Sequence, residues 1–213
     1  MLQPRPGSDK PAESSAVLRT RLRSEKIAAR EALPPDQHQS LSQSIETHLV
    51  NLLQRCQPQV LGFCWPFRAE FDCRPLVIRL LATGVRACLP LVETAESPMK
   101  FRAWHTDSQM LVDRYGIHFP ATGELLTPDM LLMPVNAFDN AGFRLGYGTG
   151  YFDRTLAELA AHGLRPLAIG VGFELARVAS INPAAHDIPL DAVVTEAGVA
   201  AFSTRAHELM KRC

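Results

Sequence analysis

Short apolar runs alternate with segments rich in helix formers along most of this chain of 213 residues. Two of the runs, residues 60–65 and 130–135, have the length and composition of a strand that is buried on both faces. Strands that alternate with helices form largely parallel sheets, because each crossover helix packs back onto the sheet. The alternation therefore predicts an α/β fold in a single domain, with a mostly parallel open sheet flanked by helices on both faces.

Apolar spacing and breaker residues place the individual elements. Strands are predicted over residues 60–65, 85–92, 99–104, 130–135, 166–172 and 192–195. Helices are predicted over residues 15–32, from the N-cap Asp36 to Cys56, and over 75–82, 151–161 and 204–212. Ligands of such folds gather at the carboxyl ends of the strands. We expect three segments there: residues 65–72, 138–153 and 186–191.

The charge balance restricts the kind of partner. Lys and Arg number 22, Asp and Glu number 22, and the formal net charge is zero. A protein that holds nucleic acid over a broad face is basic, so we expect no nucleic-acid partner. No apolar run approaches the roughly 18 residues that cross a bilayer, so we expect no membrane partner. We also expect a monomer with a small-molecule partner.

The cysteines and the first residues indicate the compartment and the domain bounds. The five cysteines include no C-x-x-C pair, which argues against a disulfide framework or a zinc ribbon and favours the reducing cytoplasm. Three prolines with Gly7 and Ser8 leave too few apolar groups near the start to offset the entropy of ordering. We therefore predict a flexible tail over residues 1–14 and a domain over residues 15–213.

A glycine-rich loop, residues 144–154, is the densest chemical signal and lies between an apolar strand and a helix. Alternate glycines let the backbone approach a ligand closely, and the N–H groups at the next helix start suit a phosphate. Arg144 offers a bidentate contact to such a group. The loop is neither a Walker A sequence nor a dinucleotide fingerprint, so spacing alone leaves phosphate binding and a plain turn equally open.

Two aspartates near this loop have two interpretations each. Asp153 and Asp187 together suit magnesium, which takes one or two carboxylates beside phosphate oxygens and water. Alternatively, Asp153 is an acid at a helix N-terminus and Asp187 is a turn residue before Pro189. Taken alone, Glu70 is an ordinary loop acid beside aromatic residues.

The first helix carries five basic residues. The five are Arg19, Arg21, Arg23, Lys26 and Arg30. Charge runs mostly form a solvated face, so we expect one of the five to be directed inward. The sequence contains no nucleophile motif such as G-x-S-x-G and no histidine spacing typical of a zinc enzyme.

Together these segments resemble the 5-formyltetrahydrofolate cyclo-ligase family, also called methenyltetrahydrofolate synthetase, over residues 17–198. The most specific match is Met133-Pro134, Ala137-Phe138-Asp139, Gly142 and the loop 144–154. These resemble the signature P-x-x-x-F-D-x-x-G-x-R-L-G-x-G-x-G-Y-Y-D-R. Supporting matches are Leu18-Arg19, Glu70-Phe71-Asp72, Leu89-Pro90, Tyr115-Gly116-Ile117 and residues 186–191.

The resemblance implies an activity: conversion of 5-formyltetrahydrofolate to 5,10-methenyltetrahydrofolate with ATP and magnesium, releasing ADP and phosphate. The formyl oxygen is phosphorylated, and the nitrogen that bridges pterin and aminobenzoate then displaces phosphate. Such a reaction needs positioned ligands and stabilised charge rather than a protein nucleophile.

The resemblance also implies site residues. For ATP they are Arg19, Arg144, Leu145, Gly146, Tyr147, Gly148, Thr149, Gly150, Tyr151 and Phe152. For the folate they are Trp65, Glu70, Tyr115, Tyr147, Gly148, Thr149, Gly150 and Tyr151. Arg144, Glu70 and Tyr151 are implied to be catalytic, and Asp153 and Asp187 to hold magnesium.

The chain departs from the family pattern at three places, one of which is Ala176, where the family usually has a glutamine after the strand at residues 169–173. Ser15 stands where the family has a lysine for ATP phosphates, and Phe152 replaces the second tyrosine of the Tyr-Tyr pair. These departures motivate an alternative, a divergent paralogue that binds folate or nucleotide with little turnover. A third interpretation is a generic phosphate-binding α/β protein for another anionic substrate.

Overall fold

The structure is a computed structural model and describes residues 13–211. Its helices are α1 (Ser15–Glu31), α2 (Pro35–Cys56), α3 (Arg74–Leu81), α4 (Tyr151–Ala161) and α5 (Thr204–Lys211), with a 3-10 helix at Glu174–Ala176. Its first six strands are β1 (Val60–Gly62), β2 (Arg86–Leu91), β3 (Lys100–Trp104), β4 (Met110–Val112), β5 (His118–Pro120) and β6 (Leu125–Leu126). The other six are β7 (Met130–Pro134), β8 (Ala137–Phe138), β9 (Arg144–Leu145), β10 (Leu167–Val171), β11 (Ala192–Thr195) and β12 (Gly198–Ala201).

Eight strands form one sheet in the order β12-β11-β10-β7-β1-β2-β3-β6. The five central strands, from β11 to β2, pair in parallel, whereas β12, β3 and β6 add to the edges antiparallel. Two small hairpins, β4–β5 and β8–β9, lie outside this sheet. The predicted single-domain α/β fold with a mostly parallel sheet is confirmed.

The central strand β7 shows how the sheet separates two cores. Met130 and Leu132 pack with residues of α2, α3 and α5, whereas Leu131 and Met133 pack on the opposite face, where Leu156 of α4 lies. This alternation follows from the period of two along a strand. Helices therefore cover both faces, with three on one side and α4 on the other.

Helix α1 lies apart from both cores, at the edge where the loops emerge. Its buried Leu22 packs in a small third cluster with Ala137 of β8, Leu145 of β9 and Ile181. The side-chain hydroxyl of Ser14 accepts a hydrogen bond from the N–H of Val17 and so caps the first turn. Helix α1 is thereby fixed against the glycine-rich loop and the strand ends.

Several predicted bounds are wrong, for local reasons. Helix α2 begins at Pro35 with Pro34 as its N-cap, so Asp36 is in the first turn instead of capping it. Proline suits this first position because its missing N–H has no partner there anyway. Strand β1 ends at Gly62 rather than at residue 65, and the following residues turn toward a cavity.

Other predicted segments are only partly covered. Of the predicted tail, residues 1–12 lie outside the described residues, as do Arg212 of the predicted last helix and Cys213. Residues 186–191 extend from the cavity to the amino end of β10, where Asp191 accepts a hydrogen bond from the N–H of Ala168. Only the beginning of that segment is therefore where we expected it. Across residues 13–211, no helix is long and apolar enough to cross a membrane.

Candidate active site

A cavity of about 830 Å³ lies beside the carboxyl ends of β1 and β7. This volume is within the range of small-molecule sites. The cavity is lined by the site residues that the sequence suggested: Arg19, Trp65, Glu70, Tyr115, Arg144, Leu145, Gly146, Tyr147, Gly148, Thr149, Gly150, Tyr151, Phe152, Asp153 and Asp187. The fold thus brings together residues that are up to 168 positions apart in the chain.

Four of the five basic residues of α1 point inward, so the expectation of one inward cation is wrong. The four are Arg19, Arg23, Lys26 and Arg30, and each bonds to a residue outside α1. Their spacing of four, three and four places them on one helix face. Arg21 alone is directed outward, where it pairs with Glu13 and Glu25. This helical spacing could have predicted the inward direction of the four cations, whereas the number of charges alone could not.

Arg23 ties α1 to the glycine-rich loop. Its Nε donates to the carbonyl of Gly146 at 2.7 Å. A Cβ added to Gly148 would lie 3.4 Å from the Arg23 Cζ atom, so the guanidinium packs directly on that glycine. Burial, and the like charge of Arg19, lower the pKa of Arg23. Arg23 lines the cavity and is a site residue that the sequence analysis missed.

The glycine-rich loop presents its backbone to the cavity. Gly148 and Gly150 have φ values of +99° and +67°, which other residues adopt only with strain. A Cβ added to Gly146 would meet no atom within 4 Å, so open space lies against that residue. Arg154 donates to the carbonyl of Thr149 at 2.8 Å. Among residues 13–211, no acceptor takes the N–H groups of Gly148 and Thr149, which leaves them for a ligand.

The buried side chain of Arg144 forms an ion pair with Asp153, which is partly exposed and lies in the first turn of α4. The two terminal nitrogens of Arg144 lie 3.1 and 3.4 Å from the two carboxylate oxygens of Asp153. Asp153 also accepts the N–H of Ile188 at 3.0 Å, and Arg144 donates to the Ile188 carbonyl at 3.3 Å. The Arg144 side chain is only 4% exposed. The pair therefore joins the loop to the segment that carries Asp187.

Arg19 and Asp187 form a second pair across the cavity. The Arg19 Nη2 atom donates to the Asp187 Oδ1 atom at 3.0 Å, and Asp187 also accepts the N–H of Ala184 at 2.6 Å. Burial opposes the charge of Asp187, but these donors outweigh burial and lower the pKa of its carboxyl. Asp187 is consequently ionised in the folded protein at neutral pH.

The two aspartates fit magnesium only in part. Within residues 13–211, no group of three His, Cys, Asp or Glu side chains converges on one point. Asp153 and Asp187 nevertheless line the same cavity, and a carboxylate oxygen that holds one donor retains a second lone pair. The set suits an ion that brings phosphate oxygens and water as its remaining ligands, and it does not form a cage of protein atoms alone.

Glu70 occupies a buried position between α1 and the loop. Its Oε1 atom accepts the Tyr147 hydroxyl at 2.8 Å and its Oε2 atom accepts the N–H of Phe67 at 3.0 Å. Burial raises the pKa of Glu70, against the opposing effects of Tyr147, Arg30 and the Phe67 N–H. Glu70 thus combines a charge-bearing group with an apolar setting, which is typical of functional carboxylates.

Aromatic side chains form another part of the cavity wall. The ring of Trp65 lies 5.2 Å from that of His118 and 4.4 Å from the guanidinium of Arg74. Tyr115 is on the hairpin β4–β5, is 43% exposed, and lies under the guanidinium of Arg114. Such faces suit flat ligand rings.

Tyr151 is the first residue of α4, and its hydroxyl accepts a hydrogen bond from Arg114 at 3.3 Å. This bond links the hairpin to the glycine-rich loop. The catalytic role suggested for Tyr151 stays a prediction, as do the individual ligand contacts of the other site residues.

Comparisons with known proteins point to one family. The model of the 5-formyltetrahydrofolate cyclo-ligase family matches residues 12–196. The chain is 31% identical over 176 residues to 5-formyltetrahydrofolate cyclo-ligase of Escherichia coli K12, covering 80% of this chain and 96% of the relative. It is 28% identical over 160 residues to the Haemophilus influenzae protein of the same name, covering 72% and 84% respectively.

Solved structures agree with these relatives. The NMR structure of Aquifex aeolicus 5,10-methenyltetrahydrofolate synthetase matches with a TM-score of 0.73 and 29% identity, covering 87% of this chain and 93% of that one. A 5,10-methenyltetrahydrofolate synthetase from Mycoplasma pneumoniae matches with a TM-score of 0.66, covering 84% and 98%. At 22% identity, this second match supports the fold alone.

The Arg144–Asp153 pair yields a stability prediction. Asp153→Asn removes the charge that compensates a buried guanidinium, and losing one partner of a buried pair costs roughly 3–5 kcal/mol. Because Asp153 is partly exposed and asparagine keeps an oxygen acceptor, we expect a loss of about 2 kcal/mol in the free energy of unfolding. Urea denaturation followed by circular dichroism measures it.

The matched control for this variant is Glu46→Gln, which breaks an exposed ion pair with Arg79. Exposed pairs contribute about 0–1 kcal/mol, so this change should leave stability nearly unaltered. Equal effects of the two variants would contradict a supporting role for the Arg144–Asp153 pair.

Proposed function

As a member of the 5-formyltetrahydrofolate cyclo-ligase family, the chain is a ligase of folate metabolism, and we propose that it converts 5-formyltetrahydrofolate to 5,10-methenyltetrahydrofolate. In this proposal ATP and magnesium are required, and ADP and phosphate are released. The supporting observation is the glycine-rich loop, which contacts Arg23 through Gly146 and Gly148 and contacts Glu70 through Tyr147. One loop therefore adjoins both a phosphate-type subsite and a carboxylate.

The proposed reaction places three demands on the site. The formyl oxygen attacks the γ-phosphorus of ATP and ADP leaves. The bridging nitrogen then attacks the formyl carbon, loses its proton, and expels phosphate. The protein must hold a polyphosphate, hold a flat reduced ring beside it, and accept one proton.

The phosphate requirement is served by α1 and the loop. Arg19 and Arg23 bring two guanidiniums to the cavity, and no acceptor within the described range 13–211 takes the N–H groups of Gly148 and Thr149. Ser15, at the position where the family has a lysine, instead donates its hydroxyl to the carbonyl of Asn182 at 3.1 Å. We infer that Arg23 supplies the charge that Ser15 does not.

The proton requirement is served by Glu70. Its burial and its raised pKa suit a general base better than a solvated carboxylate would. The aromatic faces of Trp65 and Tyr115 suit the pterin and aminobenzoate rings, which stack on such surfaces. Tyr151, beside Arg114 at the cavity mouth, is proposed to hold the reacting groups in place.

Asp153 and Asp187 are the residues that would hold magnesium. When bound with ATP, the ion neutralises phosphate charge during phosphoryl transfer. The ion pairs with Arg19 and Arg144 orient both carboxylates before any ligand arrives.

The wider proposal is a monomer of the cytoplasm that acts on a small molecule, without a nucleic-acid or membrane partner. The formal net charge of zero supports the absence of a nucleic-acid partner, because proteins that bind nucleic acid over a broad face are basic.

Turnover tests the proposed function. Incubation of the protein with 5-formyltetrahydrofolate, ATP and magnesium should yield a methenyl product that absorbs in the near ultraviolet. Calorimetry with each ligand is performed in parallel. Binding of folate or ATP with negligible product at high protein concentration would support the divergent paralogue instead, and no folate binding would contradict the substrate class.

Arg23→Gln tests the phosphate subsite. Hydrogen bonds to charged groups contribute about 1.5–3 kcal/mol, so kcat/KM for ATP should fall roughly ten- to a hundredfold, because 1.36 kcal/mol is a factor of ten. Ser15→Lys in the Arg23→Gln background should recover part of this loss, since it restores a cation to the same cavity. Steady-state kinetics at fixed folate measures both variants.

The matched control is Arg21→Gln, two residues away on the same helix but directed outward. It should change kcat/KM for ATP by less than about twofold. If Arg23→Gln were no more harmful than Arg21→Gln, Arg23 would have no phosphate role.

A further inference from the structure

Side chains of α1 and of the glycine-rich loop meet at the carboxylate of Glu70. Arg30 of α1 donates to the Tyr147 hydroxyl oxygen at 3.2 Å, and that hydroxyl donates onward to Glu70 at 2.8 Å. A second nitrogen of Arg30 donates to Asn136 at 3.0 Å, and its Nε donates to the carbonyl of Arg68 at 2.9 Å. The guanidinium is thus anchored on three sides.

Arg30 lies close enough to compensate the charge of Glu70, but it leaves the carboxylate oxygens available to other hydrogen-bond donors. The closest approach of the two side chains is 3.8 Å, and both are nearly buried, at 5% and 6% exposed. The Tyr147 hydroxyl bonds to both partners, so Arg30 fixes the direction in which its proton points. Burial and the charge of Glu70 raise the pKa of Tyr147, which keeps the hydroxyl a donor at every working pH.

Each Glu70 oxygen accepts one hydrogen bond from the protein, from Tyr147 and from the N–H of Phe67. A carboxylate has about four lone-pair sites, so capacity remains for N–H groups of a ligand. Glu70 lines the cavity, as does Tyr147. Glu70 is therefore a fixed carboxylate at the cavity wall with lone pairs available to a ligand.

We propose that Arg30 and Tyr147 are positioning residues that hold the Glu70 carboxylate ionised and oriented to take the proton of the bridging nitrogen of the folate. This inference rests on the proposed function and deepens it. In the step concerned, the nitrogen–carbon bond forms, the nitrogen–hydrogen bond breaks, the proton moves to Glu70, and phosphate carries away the formyl oxygen.

The contacts of Tyr147 and Arg30 separate this role from ATP binding. Resemblance assigns Tyr147 to the nucleotide and folate loop, but its hydroxyl is committed to Glu70 and its ring packs edge-on against Phe67 at 5.7 Å. Arg30 lies eleven residues from Arg19 on the same helix face and does not line the cavity wall itself. The pair should therefore affect the folate step rather than ATP affinity.

The titratable groups that face Glu70 determine the expected pH effect. They are Arg30 from α1, Tyr147 from the loop, and Cys64 and Cys73 from the connection between β1 and α3. Burial raises the pKa of both thiols, so they stay neutral. Glu70 alone among these groups changes charge on the acid side of neutrality.

The hydrogen bond from Tyr147 determines the direction in which the pKa of Glu70 changes in a variant. Burial already raises the pKa of Glu70, and the Tyr147 hydroxyl opposes that rise. Tyr147→Phe removes the opposing bond, so the carboxylate is protonated at a higher pH. Activity that requires the carboxylate is lost as pH falls, and the acid limb of kcat/KM for the folate should move to higher pH by about half a unit or more.

The experiment compares pH profiles of the wild-type protein, Tyr147→Phe, Arg30→Lys and Arg30→Met. We expect Tyr147→Phe to lower kcat/KM for 5-formyltetrahydrofolate severalfold at acid pH, to recover at alkaline pH, and to leave the KM for ATP within about twofold. Arg30→Lys keeps the charge and should shift the limb less than Arg30→Met. The control Arg79→Met, at an exposed pair remote from the cavity, should leave the profile unchanged.

A second readout does not depend on turnover. Glutamate labelled with carbon-13 at the carboxyl group allows NMR titration of Glu70, assigned by its absence in Glu70→Gln, in the wild-type protein and in Tyr147→Phe. An upward shift in the variant supports the positioning role even if the wild-type protein makes no methenyl product, which would count against the proposed function alone. An unchanged titration, or a loss of activity equal at every pH, would overturn the positioning role.

Discussion

Four basic side chains on one face of α1 connect the loops that emerge from the carboxyl edge of the sheet. Arg19 bonds to Asp187, Arg23 to the Gly146 carbonyl, Lys26 to the Leu175 carbonyl, and Arg30 to the groups around Glu70. These loops lack strand partners for their carbonyls, and buried polar groups require bonds from elsewhere. The cavity therefore depends on a helix that contributes little to either main core.

This arrangement accounts for a neutral protein with a site suited to anions. Arg19 and Arg30 lie beside carboxylates, whereas Arg23 and Lys26 bond to carbonyl oxygens, which cancel no charge. Acidic residues elsewhere bring the formal net charge of the chain to zero, and Arg19 and Arg23 line the cavity. Charges fixed in this way need little rearrangement when a ligand arrives, which is the condition for strong electrostatic stabilisation. The hydrogen bonds that fix these cations therefore also prepare the site for a ligand.

The sequence was sufficient for the features that depend on local pattern. Apolar runs predicted the central strands, and α4 has its predicted bounds at Tyr151 and Ala161. It was not sufficient where a long polar side chain had two possible directions: Arg23 and Arg30 were attributed to a solvated face, although their spacing put them on one side. The link from Tyr147 to Glu70 depends on contacts between distant segments, and no local pattern encodes them.

In the proposed function, α1 and the glycine-rich loop bind phosphate as one unit. Amide hydrogen exchange in the presence and absence of a non-hydrolysable ATP analogue with magnesium tests it most directly. We expect residues 19–30 and residues 146–150 to gain protection together, and Arg23→Gln to abolish the gain in both. Protection confined to the loop, with α1 unchanged, would contradict it.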